Sequence, residues 1–289
     1  MANPYQNNAS IETAASHRRS LRPSPRGRRS RRRRRRPSMF PWFFAVTAVM
    51  AAAAVILIGW RTDLFDAIPP GAAAADETPL QTAFLPAAAD RERRLSLLYQ
   101  NPELPNGCEV TSLAMLLNWA GCSVDKVKLA ENYLPKEDFV YAGSDCLGPD
   151  PGRAYAGDPA GAGGWYCFEG PVIYAGNAWL TEQNSSFRVV SLTGLTRKAL
   201  EDYLDLGIPM AVWVTLNYAP PALSSFQWTL PDGARYAPYS NLHCVVLTGR
   251  NGGDYQIADP IMGWQRVPPT LFWNSFEAMG RRAAAVFPD

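Results

Sequence analysis

The stretch Leu104-Pro105-Asn106-Gly107-Cys108-Glu109-Val110-Thr111-Ser112-Leu113 decides how the rest of the chain is read. Pro-Asn-Gly is turn chemistry, because proline presets φ while asparagine and glycine tolerate the left-handed backbone. Directly behind it an apolar run, Val110 to Trp119, stops at Gly121, which predicts a helix from about Cys108 to Ala120. Val110, Leu113, Met115, Leu116, Leu117 and Trp119 cover most of its faces, so the helix is expected to be buried and central. A thiol at its start faces unpaired backbone N–H groups and the positive end of the helix dipole. Both favour the thiolate and lower its pKa from the free value of about 8.5. Cys108 is therefore a candidate nucleophile, in competition with a plain buried cysteine. Glu109 beside it either opposes thiolate formation or pairs with a cation.

Working outward, the charge is unevenly spread. Residues 1–38 hold 12 basic residues and one acid, a net of +11; the remainder holds 16 basic and 25 acidic, a net of −9. From Met39 to Trp60 there are 22 residues without a charge, with Trp42 and Trp60 near the two ends. About 20 apolar residues span a bilayer core of about 30 Å, and aromatic rings favour its interfaces. Residues 39–60 therefore read as one transmembrane helix, a signal-anchor that contacts membrane lipid. A cleaved signal peptide competes, but Ala72 to Ala75 lie far from the apolar end. Arg31 to Arg36 precede the span and only Arg61 follows closely. This places residues 1–38 in the cytoplasm as a disordered basic tail and the rest outside the cell membrane. The arginine run shows no aromatic interleaving, so no nucleic acid is expected as a partner. Residues 61–94, rich in Ala and Pro, read as a linker. Residues 95–289 read as one domain.

Five cysteines, at 108, 122, 146, 167 and 244, leave an odd thiol. With no C-x-x-C pair and only His243 outside the tail, neither a metal nor another cofactor is expected. A short helix is predicted over 124–134 with Asp125 as its cap, and another over 197–206 between Thr196 and Gly207. Residues 140–170 carry eight glycines and three prolines and read as a long loop, tethered by a Cys146–Cys167 disulfide. Ile208 to Leu216, His243 to Gly249 and Tyr255 to Ala258 read as strands, the last two joined by an Asn251-Gly252-Gly253 turn. A helix from Thr270 and a strand over 283–287 close the chain. Helices first and paired strands later is an α+β order.

A thiol nucleophile needs a base, and the domain offers only His243, at a strand entrance. The base needs an orienting acceptor. Asp259, 16 residues on, sits at the exit of the partner strand, where a hairpin brings it beside His243. The Cys108 N–H and the Gln100 side-chain amide are the candidate oxyanion donors. Cys244, next to His243, points to the opposite strand face by alternation and reads as core.

Taken together, Gln100, the segment Leu104 to Leu117, Leu242-His243-Cys244-Val245-Val246-Leu247-Thr248-Gly249 and Ala258-Asp259-Pro260 resemble the C39-like branch of papain-like cysteine peptidases over about residues 95–280. The resemblance implies a papain-like fold: an N-terminal helical part carrying the Cys and a C-terminal antiparallel sheet carrying the His. It also implies roles for four residues. Gln100 would be the oxyanion donor, Cys108 the nucleophile, His243 the base and Asp259 its orienter. The expected activity is that of a membrane-anchored, extracytoplasmic thiol peptidase or amide hydrolase acting on a peptide or protein. Two alternatives stay open: a cell-wall peptide hydrolase or acyltransferase on the same triad, and a non-catalytic binding module on the same scaffold.

Overall fold

The computed structural model of the chain describes residues 95–289. The tail, the transmembrane helix and the linker expected over 1–38, 39–60 and 61–94 lie outside the described residues. Among the described residues no helix is long and apolar enough to cross a membrane.

In chain order the elements are α1 (Cys108–Trp119), α2 (Lys126–Asn132), β1 (Lys136–Glu137), β2 (Val140–Ala142), β3 (Asp145–Leu147), β4 (Tyr155–Ala156), α3 (Glu169–Glu182), β5 (Phe187–Ser191), α4 (Arg197–Asp205), β6 (Met210–Thr215), β7 (Trp228–Thr229), β8 (Arg235–Tyr236), β9 (Leu242–Asn251), β10 (Asp254–Asp259), β11 (Gly263–Val267), α5 (Pro269–Ala278) and β12 (Ala283–Pro288). A six-stranded sheet in the order β11-β10-β9-β6-β12-β5 forms the centre. Every neighbouring pair in it is antiparallel.

Helices cover both faces of this sheet. Strand β6, MAVWVT, is buried at all six positions, so it has no polar face to show solvent. Its alternate residues serve two cores. Ala211 and Trp213 join Cys244 and Val246 of β9 against α1 and α3. Met210, Val212 and Val214 join Val245 and Leu247 against Leu200 and Leu204 of α4 and Phe272 and Phe276 of α5. The alternation expected for Cys244 is present in this split. Helix α1 is buried at ten consecutive positions, Cys108 through Leu117. That includes three polar side chains. Ser112 Oγ donates to the Cys244 carbonyl at 3.3 Å, while Thr111 Oγ1 has no partner among the described residues.

Local signals hold where a cap or turn carries them. Asp125 Oδ1 accepts from the Val127 and Lys128 N–H groups at 2.8 and 3.1 Å and starts α2. Thr196 Oγ1 accepts from the Ala199 N–H and starts α4. Gly252 and Gly253 turn the β9–β10 hairpin with φ of 62° and 96°, the left-handed pair such turns require.

Two expectations are corrected, and one helix went unread. Residues 140–170 are not an irregular loop throughout. Strands β2 and β3 form a four-stranded sheet with β7 and β8, in the order β2-β3-β7-β8, and α3 begins at Glu169. The strands are two or three residues long, too short for a period of two to show. They are held by Trp228, which is buried with Phe139, Trp165 and Phe226 around it and donates from Nε1 to the Pro149 carbonyl at 2.8 Å. Helix α3 hid behind Gly170, Pro171 and Gly176. Proline in a first turn removes an N–H that has no helical partner. Gly176 lets α3 approach β5, since a Cβ there would lie 2.4 Å from Val189 Cγ2. Finally, Cys146 and Cys167 are both free thiols. They pack in separate clusters, Cys146 with Trp228 and Cys167 with α1, and no disulfide tethers the segment.

Candidate active site

Cys108 is the first residue of α1, as the turn predicts. Gly107 N–H returns to the Leu104 carbonyl at 2.9 Å, closing the Pro-Asn-Gly turn. Only glycine fits there: a Cβ on Gly107 would lie 2.6 Å from Leu104 Cβ. The glycine-rich segment buttresses this turn from outside. Asn106 donates from its main chain to the Pro159 carbonyl at 3.0 Å and from Nδ2 to the Gly161 carbonyl at 2.8 Å. Tyr155 donates its hydroxyl to the Asn106 carbonyl at 2.7 Å. The segment is thus a splint for the turn that delivers the cysteine.

His243 and Asp259 meet as expected. His243 Nε2 and Asp259 Oδ1 are 3.0 Å apart on adjacent strands β9 and β10, with residue exposures of 2 % and 4 %. The same Oδ1 accepts from the Ile261 and Met262 N–H groups at 2.7 and 3.0 Å, so the turn after Pro260 fixes the carboxylate. Burial pushes the Asp259 carboxyl up. The hydrogen bond and charge of His243, with the two backbone N–H groups, outweigh it and hold it below the usual carboxylate value. Nε2 is taken by Asp259, which leaves Nδ1 as the nitrogen able to serve a thiol.

Gln100 is tied to the same corner. Its N–H donates to the Pro260 carbonyl at 2.9 Å, one residue from Asp259. Its Nε2 donates to the Pro105 carbonyl at 2.6 Å, three residues from Cys108. Gln100 therefore bridges the cysteine turn and the aspartate turn. Its Oε1 is buried without a partner among the described residues.

The fourth contact is not made. No hydrogen bond joins Cys108 to His243 among the described residues. Cys108 Sγ instead donates to Glu109 Oε2 at 3.3 Å. The thiol also lies against Cys244, the neighbour of His243 along β9. Its pKa is pushed up, not down as the helix start alone suggests. Burial is the main cause and the charge of Glu109 the next, while the Cys244 main chain partly offsets them. Desolvation and a like charge outweigh the helix end. Among the described residues Glu109 has no cation partner, so of the two choices left open by the sequence it opposes thiolate formation.

Sequence reasoning also passed over Tyr218, which follows β6 in a short turn. Asn217 and Tyr218 both have positive φ, 54° and 57°. The Tyr218 hydroxyl is buried without a partner among the described residues, and burial and then the Asp259 charge push its pKa up. A strained tyrosine beside the His–Asp pair carries no sequence signature, because nothing local in Leu216-Asn217-Tyr218 marks the backbone.

A family model described as the Peptidase_C39 like family matches residues 93–284. The uncharacterized protein YvpB of Bacillus subtilis (strain 168) is 33% identical over 188 residues, 64% of this chain and 70% of that protein. A solved structure of a candidate C39-like peptidase from Bacillus anthracis is 29% identical. It superposes with a TM-score of 0.59 over 68% of this chain and 96% of that one.

Proposed function

The chain belongs to the Peptidase_C39 like family, and from that premise we propose that it is a membrane-anchored, extracytoplasmic cysteine peptidase or amide hydrolase. The observation that carries the reading is the buried His243–Asp259 pair at 3.0 Å, tied through Gln100 to the turn that delivers Cys108. A histidine held by a fixed carboxylate on one nitrogen is built to accept a proton on the other.

In this mechanism the Cys108 proton passes to His243 Nδ1, and the thiolate attacks the substrate carbonyl. The oxyanion that forms is met by the Cys108 N–H and by the second N–H of Gln100 Nε2, the first being bound to Pro105. His243 then protonates the leaving amine, and an acyl-enzyme remains. Water, deprotonated by the same imidazole, releases the acid. Asp259 keeps the ring oriented and stabilises its cationic form. The substrate class is a peptide or protein. The uncharged run 39–60 with its arginine-rich N-terminal flank supports an anchor with the tail inside and the domain outside.

A thiol-directed activity probe on the full chain tests the reading. Labelling and peptide hydrolysis are expected in the wild type, with hydrolysis lost in Cys108→Ala and His243→Ala. Hydrolysis that survives in Cys108→Ala would remove the nucleophile assignment.

A further inference from the structure

Glu109 is a carboxylate in the wrong place for stability. It is 0 % exposed and has no lysine, arginine or histidine bonded to it among the described residues. An unpaired buried charge is costly, and proteins keep one where it does something. Both of its oxygens are used. Oε1 accepts from the Cys167 N–H at 3.1 Å, and the Cys167 carbonyl is itself held by Trp213 Nε1 at 2.9 Å. Oε2 accepts from Cys108 Sγ. The titratable groups around it are Cys108, Cys167, Cys244 and Tyr155, none of them cationic. The carboxylate is therefore fixed by the core and aimed at the candidate nucleophile.

We propose that Glu109 is a positioning residue that holds Cys108 in its protonated form at rest and keeps the sulfur from returning to it once the proton has passed to His243. This rests on the reading of Cys108 as nucleophile. The force between the two groups changes sign with one proton. A neutral thiol is a donor, and the carboxylate attracts it. A thiolate is an anion, and the same carboxylate repels it in a medium where charges are weakly screened. In the step itself the S–H···Oε2 bond breaks, the side chain turns about Cα–Cβ, and the proton goes to His243 Nδ1. Glu109 keeps its charge throughout, and Asp259 meets the imidazolium at Nε2. The resting thiol is thus kept protonated, and so less open to oxidation, until it leaves the carboxylate.

The test reads Cys108 directly. The detergent-solubilised full chain is alkylated with iodoacetamide across pH 5 to 10, and the Cys108 peptide is quantified by mass spectrometry. Burial pushes Glu109 up to about 7. The wild-type profile should therefore bend near that pH, because ionised Glu109 opposes thiolate formation above it. The bend should persist in His243→Ala, which separates it from imidazole titration. Glu109→Gln keeps an acceptor for the Cys167 N–H. It should lose the bend and alkylate about tenfold faster above pH 7, because the thiolate is no longer opposed by a neighbouring charge. Glu109→Asp, which keeps the charge one methylene further back, should retain the bend with a smaller step. A folded Glu109→Gln whose profile superimposes on the wild type overturns the proposal. Should Glu109→Gln not fold, a straight wild-type profile through pH 7 overturns it equally. Alkylation needs no turnover, so a Glu109-dependent profile in a chain that hydrolyses no peptide retains this role and removes the hydrolase reading instead.

Discussion

At the level of single residues, one sulfur and two acceptors define the molecule. Cys108 donates a hydrogen bond to a carboxylate 3.3 Å away, and in the proposed mechanism passes its proton to His243. Asp259 governs that transfer. Asp259→Asn keeps the shape but removes the charge that stabilises the imidazolium and can present the wrong hydrogen-bonding group to Nε2. Peptide turnover should fall by on the order of 10²–10⁴, with the melting temperature changing by only a few degrees, measured by steady-state kinetics and thermal unfolding. Glu109 governs stability against pH. Its carboxyl titrates at about 7 in the folded chain against an ordinary value of 4.5, because burial opposes its charge. The folded state thus binds that proton more tightly than the unfolded state does. Its contribution is full below about pH 4.5 and is lost as pH rises through about 7, a change on the order of 3 kcal/mol. Glu109→Gln should flatten this slope, so that urea unfolding at pH 5 and pH 8 gives closer midpoints than in the wild type.

Between elements, close approach matters more than propensity. The turn before α1 has no room for a side chain at Gly107, where Leu104 Cβ occupies the space. Gly107→Ala must displace either Leu104 or the start of the helix. It should destabilise by about 1–3 kcal/mol in denaturant unfolding and lower turnover more than its stability cost explains, because Cys108 moves with the turn. The glycine-rich segment behaves as a splint through Asn106, Pro159 and Gly161, and packing rather than a covalent bridge holds it. Thiol titration of the denatured, non-reduced chain should therefore give five free thiols, matching the five unpaired cysteines. A count of three would restore a disulfide.

For the whole molecule, the charge asymmetry and the run 39–60 make a prediction that the domain alone does not. The full chain should sediment with membranes, stay there in high salt and carbonate, and release only with detergent, while deletion of residues 39–60 should free it. Protease added outside intact cells should reach the domain and leave residues 1–38 untouched. How much was legible in the chain itself follows from the range of each signal. Caps and turns act within a few residues, so Asp125, Thr196, Gly107 and the Gly252-Gly253 hairpin could be read directly. The hairpin set β9 beside β10, but Asp259 shares the His243 face only because the register shifts at Gln256 and Ile257: past the shift Ala258 pairs with Val246, whereas the unbroken register of the turn would set Asp259 opposite Val246, on the other face. Strands β2, β3, β7 and β8 could not be read, because their strength lies in Trp228 and the rings around it, brought together from distant segments. Helix α3 was hidden by Gly176, whose purpose is contact with Val189. The sequence by itself determined the α+β class, the helix that starts at Cys108 and the family. Only the tertiary structure decided the state of the thiol. Burial and the enclosure of Glu109 arise from residues far apart in the chain, and desolvation outweighs a helix terminus that local sequence makes visible.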